Sequence, residues 1–211
     1  SDGAGMKSAV ALVVFLAASG CATTSPPAGP SPSPYLLLLA ADRDGIEEDF
    51  FAVVDVDPSS PDAGHVVTTT PIGHRNSMPH HTEYELPPAG SLLFANAHHP
   101  ETTMLVDVSE AHTVRVAKSF SPPAPLRFPH DYARLPSGNV LVGFLRSDDA
   151  DPDAGDTEDG HGGIAEYTAQ GELLRSASVA VSGYPHPVRV YAVLPMLDLD
   201  LVLTTSARMM E

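Results

Sequence analysis

A short motif occurs three times in the sequence, and this repetition most constrains the fold that the chain can adopt. The copies are Pro-His-His-Thr-Glu-Tyr-Glu-Leu-Pro at 79–87, Pro-His-Asp-Tyr-Ala-Arg-Leu-Pro at 129–136 and the weaker Arg-Val-Tyr-Ala-Val-Leu-Pro at 189–195. His81, His130 and Arg189 each stand five positions before the leucine of their own copy. Such spacing indicates an array of similar structural units.

The repeated unit contains several short strands. Val-Val-Asp-Val at 53–56 recurs as Leu-Val-Asp-Val at 105–108, which is 52 positions later. One unit holds four strand candidates, at 82–86, 92–95, 104–108 and 113–119. Four short antiparallel strands in roughly 50 residues are typical of β-propeller blades, so we predict an all-β fold with about three four-stranded blades. A plain β-sandwich would explain the strands but not the repeated motif.

Three blades do not complete a propeller, since propellers close their ring with about four to eight. An exposed sheet edge would remain. We therefore expect the sequence to be a fragment of a longer protein, whose missing blades would cover that edge. A short ring of several identical copies is the alternative.

Composition excludes some functions. The 211 residues carry a formal net charge of −16 with only 11 Lys plus Arg, which argues against nucleic acid as a partner. A single Cys excludes an internal disulfide framework and a cysteine-based zinc site. The chain also lacks Gly-x-Ser-x-Gly, a phosphate-binding glycine loop and His-Glu-x-x-His.

The N-terminal part has the pattern of an export signal. The apolar run at 9–18 follows a basic Met-Lys pair and is too short to span a bilayer. Small residues then precede Cys21, so 1–21 resembles a bacterial lipoprotein leader with Cys21 as the lipidated residue. Ordinary secretion with a chance cysteine is the alternative.

The leader sets the expected domain organisation and location. Residues 22–34 are a Pro/Ser-rich linker with little to bury, and 35–211 would form the partial propeller domain. We expect a lipid-anchored protein of the bacterial cell envelope, on its periplasmic or extracellular face. Its only membrane contact would be the N-terminal lipid anchor.

An acidic segment at 147–163 has two interpretations. Asp149, Asp151 and Asp153 match the start of a calcium-binding loop, but Gly155 stands one place late and no Glu occupies the twelfth position. A solvated acidic loop is therefore the better prediction.

Histidines mark the candidate functional site. If the first strand of each blade is innermost, His80 and His81 flank the central channel and His130 holds the equivalent place in the next blade. Converging imidazoles would suit a borderline transition metal, copper or zinc. The alternative is a structural role, in which each histidine hydrogen-bonds a neighbouring blade.

Other polar residues lie near these histidines in the sequence. Glu83 and Asp131 could be acceptors that fix a histidine tautomer from outside the metal's ligand shell, or ordinary hydrogen-bond partners between blades. His98 and His99 precede Pro100, which predicts an exposed turn.

Several motifs together resemble the selenium-binding protein family, which includes the bacterial methanethiol oxidases. They are Phe-Ala-Val-Val-Asp-Val-Asp-Pro-Ser-Ser-Pro at 51–61, the His-His pair at 80–81, Thr-Met-Leu-Val-Asp-Val at 103–108, and His130 ahead of Pro-Ser-Gly-Asn-Val at 136–140. The resemblance implies a seven-bladed propeller and a copper-dependent oxidase that converts methanethiol, a small thiol, to formaldehyde, hydrogen sulfide and hydrogen peroxide. It also implies that His80, His81 and His130 are metal ligands, with further ligands from other blades.

The sequence departs from this family in its cysteines. The family's selenium-linked Cys has no counterpart, and the Cys-containing stretch that follows the His-His pair in many members is replaced by Thr-Glu-Tyr-Glu-Leu-Pro-Pro at 82–88. Two other functions therefore stay open. One is a non-catalytic, surface-anchored binding module, and the other is a carrier of metal or selenium.

Overall fold

The structure is a computed structural model that describes residues 33–110, 112–148, 160–182 and 186–207. The chain divides into two compact units, and the described residues belong to the second, which starts at Ser33. The predicted leader and linker up to Pro32, with Cys21, lie outside the described residues, as does most of the acidic segment. Of the helices in the described ranges, none is long and apolar enough to cross a membrane.

The described residues form four antiparallel sheets and contain no α-helix. The first sheet has three strands: β1 (Tyr35–Ala40), β2 (Phe50–Asp55) and β3 (Val66–Pro71). The second has four strands: β4 (Pro79–Thr82), β5 (Leu93–Ala97), β6 (Thr102–Asp107) and β7 (Arg115–Phe120). The third has four strands: β8 (Leu126–Arg134), β9 (Val140–Ser147), β10 (Gly163–Tyr167) and β11 (Leu173–Ser178). The fourth has two strands joined by a 3-10 turn at Leu197–Leu199: β12 (Ala192–Met196) and β13 (Leu201–Thr205).

Short turns join several pairs of consecutive strands. The connection between β8 and β9 is an example, in which Gly138 adopts a φ of 89° that favours glycine. Its N–H donates to the Leu135 carbonyl at 2.9 Å, and the Leu135 N–H donates to the Asn139 carbonyl at 2.8 Å. Within each sheet, every strand pairs with the next one in the chain.

The second sheet packs between the first and the third. Successive side chains of a strand point to opposite faces, and every residue of β5 is buried. Leu93 and Ala95 belong to an apolar cluster with Phe51 of the first sheet, whereas Phe94 belongs to a cluster with Tyr132 of the third. The sheets are therefore stacked face to face, with β5 supplying both layers.

The first strands of successive sheets lie side by side. β4 contacts both β1 and β8, and β12 contacts β8. The three copies of the repeated motif fall on or directly beside β4, β8 and β12. This arrangement brings the histidines of the first two copies to neighbouring strands.

Two features of the predicted strand pattern differ from the structure. In the described ranges only the second and third sheets have four strands. The strand predicted at 82–86 is wrong, because β4 covers Pro79–Thr82 instead. Past Thr82 the chain turns outward, so that Tyr84 and Leu86 are 77% and 60% exposed. The side chain of Glu83, by contrast, is buried and contacts Arg134.

A buried ion pair joins the second and third sheets. Arg134 Nε and Nη2 donate to the two carboxylate oxygens of Glu83 at 2.8 and 2.9 Å. The backbone N–H of Phe94 also donates to Glu83 Oε2, at 2.9 Å. The Glu83 and Arg134 side chains are only 4% and 13% exposed, so neither can exchange its partner for water.

We predict that Arg134→Ala lowers the free energy of unfolding by about 3 kcal/mol, because it leaves a buried carboxylate without its cation. Arg115→Ala is the matched control, since Arg115 is 67% exposed in its pair with Asp107. A surface pair of this kind contributes under about 1 kcal/mol. Denaturant unfolding of the full chain measures both, and equal losses would contradict a structural role for the buried pair.

Candidate metal centre

Three histidine rings converge where β4 and β8 meet. The ring centres are 4.6 Å apart for His80 and His81, 4.9 Å for His80 and His130, and 4.3 Å for His81 and His130. One ring nitrogen from each residue lies within 4.8 Å of the others. The structure thus brings together the three residues that the sequence singled out.

Irregularities in both strands aim these side chains. Neighbouring residues of a regular strand point to opposite faces, so His80 and His81 could not converge on one point in a regular strand. The register of β4 against β5 shifts between Pro79 and Thr82, and that of β8 against β9 shifts between Pro129 and Asp131, on either side of His130. Bulges of this kind redirect side chains next to functional sites.

The buried side chain of Asn96 stabilises both irregular segments. Its Oδ1 accepts the backbone N–H groups of His80 and His81 at 3.0 and 2.8 Å. Its Nδ2 donates to the carbonyls of Pro129 and His130 at 2.9 and 3.4 Å. One carboxamide therefore supplies the hydrogen bonds that the shifted ladders do not make. No sequence signal marks this residue, since an isolated Asn in an apolar strand belongs to no motif.

His130 is held in one tautomer. Its ring is fully buried, and its Nδ1 lies 2.6 Å from the Tyr191 carbonyl, which can only accept a hydrogen bond. The proton is therefore on Nδ1, and Nε2 carries a lone pair. That Nε2 is buried and has no hydrogen-bond partner among the described residues. Burial lowers the pKa of His130 to about 3, with the nearby His81 as the second cause, so the ring is neutral at pH 7.

His81 and His80 are also neutral. Burial lowers the pKa of His81 to about 4, and it lowers the pKa of His80 as well. The Nδ1 of His81 lies 3.7 Å from Asp131 Oδ1, while Asp131 Oδ2 accepts the Val193 N–H at 2.7 Å. Burial raises the pKa of Asp131. Asp131 therefore lies beside His81 without a hydrogen bond to it, and its bond with the Val193 N–H joins the third sheet to the fourth.

Glu83 is the second acidic residue that was predicted to lie near the histidines. Its carboxylate contacts Arg134 and the Phe94 N–H rather than a histidine ring. These contacts are those of a hydrogen-bond partner between sheets.

The exposed turn predicted for His98 and His99 is correct only for His99. His98 is 8% exposed, and its ring centre lies 6.1 Å from that of His80 and 6.3 Å from that of His130. The exposed turn was predicted because Pro100 follows the two histidines. The burial comes from contacts with Phe128 of β8, which strand patterning cannot show.

The three histidines fit a transition metal. The unpartnered Nε2 of His130 is a buried lone pair that lacks a donor, and a cation would satisfy it. Neutral imidazoles suit copper and zinc. Three protein ligands also leave a coordination position for a substrate, as in catalytic metal sites.

Comparisons with known proteins show likeness in fold alone. No protein-family model matches the chain, and no curated protein matches it significantly. Among solved structures, a hypothetical selenium-binding protein from Sulfolobus tokodaii matches with a TM-score of 0.62 and 16% identity, over 82% of this chain and 39% of that one. A protein of unknown function from Bacteroides caccae matches with a TM-score of 0.46 and 14% identity, over 79% of this chain and 48% of that one. The chain therefore shares an all-β fold with part of the Sulfolobus protein.

We predict that Asn96→Ala lowers the free energy of unfolding by about 3 kcal/mol, because it leaves several buried backbone groups without partners. Asn139→Ala is the control, since its Nδ2 donates to Glu166 Oε1 at 2.7 Å in a partly buried position away from the histidines. Denaturant unfolding of the full chain measures both variants. An equal or smaller loss for Asn96→Ala would show that the four bonds do not stabilise the site.

The lowered pKa values predict that acid destabilises the metal-free protein. His81 and His130, with folded pKa values of about 4 and 3, bind protons near pH 6.5 when the chain is unfolded. The free energy of unfolding should therefore fall as pH drops from about 6.5 toward 4, by up to about 1.4 kcal/mol per pH unit for each histidine. Denaturant unfolding between pH 7 and 5 tests this. His130→Gln should flatten the slope, whereas the same change at the exposed His112 should not.

Proposed function

We propose that this protein is a relative of the selenium-binding proteins in which His80, His81 and His130 hold a copper ion that serves the oxidation of small thiols. The observation that carries the proposal is the buried, unpartnered Nε2 of His130, which the hydrogen bond of Nδ1 to the Tyr191 carbonyl leaves as a lone pair that a cation could bind. The resemblance of the sequence motifs to the family supplies the choice of copper and of thiols.

The fold in this proposal is part of a β-propeller. Four sheets follow one another in chain order, and their first strands contact one another in series. The likeness in fold to the hypothetical selenium-binding protein supports it. The last sheet presents Leu194, Leu201 and Leu203, each more than half exposed. Monomeric proteins rarely leave such apolar patches open, and we infer that further blades of the same protein cover this face.

The metal and the residues around it would have different roles in this reaction. Copper, when bound, supplies a soft cation for a thiolate and a route for electrons from the thiol to oxygen. The three histidines contribute no charge, so the cation keeps its full attraction for an anionic sulfur. Asp131 Oδ1 lies 3.7 Å from His81 Nδ1, and a closer approach would let this carboxylate accept the ring N–H and fix the ring's orientation. In the overall reaction, methanethiol, oxygen and water give formaldehyde, hydrogen sulfide and hydrogen peroxide, which balances all atoms.

A metal or selenium carrier is the second candidate. Such a carrier would use the same histidines without turnover. The specific observation in its favour is the group of three histidines, which would suffice to hold a metal ion. The absence of the family's cysteines favours a non-catalytic binding module instead, because selenium would lack its usual attachment residue. A carrier would bind metal and leave methanethiol unchanged.

We predict that the full-length protein, purified without a histidine tag, contains about one copper per chain by elemental analysis. His81→Ala and His130→Ala should each lose most of it, because either change removes one of three donors. His112→Ala is the control, because His112 is exposed and contacts Tyr35 rather than the cluster. Assays for peroxide and hydrogen sulfide release from methanethiol then test the activity.

The outcomes separate the candidates. Copper that depends on the two histidines, with peroxide release, supports the oxidase. The same copper without product supports the carrier. A folded protein that binds no copper contradicts both, and would assign the histidines to packing between sheets in a non-catalytic binding module.

A further inference from the structure

His98 lies at the edge of the histidine cluster and belongs to none of the roles described so far. It follows directly after β5, and its backbone N–H donates to the Met78 carbonyl, just before β4, at 3.4 Å. Its ring packs against Phe128 of β8, with ring centres 5.3 Å apart. The side chain is thus enclosed by the same two strands, β4 and β8, that present the cluster.

The Nδ1 of His98 is a buried polar atom with no hydrogen-bond partner among the described residues. Leaving such an atom unsatisfied costs about 1–3 kcal/mol, and each one in a native protein needs an explanation. The neighbouring His99 shows the contrast. Its ring is exposed, and its Nδ1 lies 2.7 Å from the Asn76 carbonyl. The two adjacent histidines therefore differ in burial and in hydrogen bonding.

Distances place His98 close to coordination range. Two imidazoles bound to one ion at about 2.0–2.1 Å have ring centres about 5 Å apart in a tetrahedral arrangement. The three cluster histidines are spaced between 4.3 and 4.9 Å. His98 is 6.1 and 6.3 Å from His80 and His130, about 1 Å beyond that separation. The group of ring nitrogens that lie within 4.8 Å of one another contains the three cluster histidines without His98, so coordination would require the His98 ring to move toward them.

We propose that His98 is a fourth nitrogen ligand of the metal held by His80, His81 and His130. The proposal rests on the proposed function, since it needs a metal at the cluster. It explains the two unpartnered imidazole nitrogens, of His98 and His130, by one cation. It also gives the metal four nitrogen donors from this part of the chain before substrate binds. His98 is the donor placed furthest from the other three, so it is the one that an incoming thiolate would displace.

The test compares His98→Gln with His99→Gln in the full chain. Copper(II) is added alone, its affinity is measured against a competing chelator, and the nitrogen ligands are counted from paramagnetic resonance and X-ray absorption spectra. We expect four imidazole nitrogens in the unmodified protein and in His99→Gln, and three in His98→Gln. Copper affinity should fall about 10- to 100-fold in His98→Gln and should change little in His99→Gln.

Unchanged copper affinity and nitrogen count in His98→Gln would overturn the proposal while leaving the three-histidine site intact. Three nitrogens in the unmodified protein would overturn it without any variant, which covers the case that His98→Gln does not fold. No copper binding by the folded unmodified protein would overturn both this inference and the proposed function. Circular dichroism of each variant establishes that the fold is retained.

Discussion

The carboxamide of Asn96 is the constraint on which the histidine cluster depends. A regular strand cannot present two consecutive side chains on one face. A strand that departs from the regular hydrogen-bond pattern leaves buried backbone groups without partners. Asn96 resolves this conflict, because it accepts two N–H groups from β4 and donates to two carbonyls of β8. The same side chain therefore permits the irregular backbone and sets the distance between the two strands.

Electrostatics around the cluster follow from burial. The chain is strongly acidic overall, yet the carboxylate of Glu83 is neutralised by Arg134. Asp131 stays as the carboxylate beside the rings, and its approach to His81 is longer than a hydrogen bond. Burial lowers the pKa of all three cluster histidines. At neutral pH the site consequently offers nitrogen lone pairs rather than positive charge. Such a site favours binding of a cation over binding of an anion.

Sequence patterning predicted the strands and the three central histidines, because both depend on local signals that repeat along the chain. The strands predicted at 92–95, 104–108 and 113–119 correspond to β5, β6 and β7, and the repeated motif marked His81 and His130. The first strand of the second sheet was predicted at 82–86, because Tyr84 and Leu86 are residue types that strands favour. In the structure this strand ends at Thr82, and the side chain of Glu83 contacts Arg134 of the third sheet. Asn96 and His98 were missed for a related reason. Their roles arise from β8, about 30 residues away, and no periodicity within their own strand reports such a contact.

The third copy of the motif contributes backbone groups, rather than a histidine side chain, to the site. Arg189 stands where the first two copies have histidine, so this copy presents no imidazole at that position. Its backbone acts instead, since the Tyr191 carbonyl fixes the tautomer of His130 and the Val193 N–H holds Asp131. A backbone group depends on the strand's position rather than on its sequence. The third copy therefore contacts the site through backbone groups of its strand, although its sequence match to the other two copies is weak.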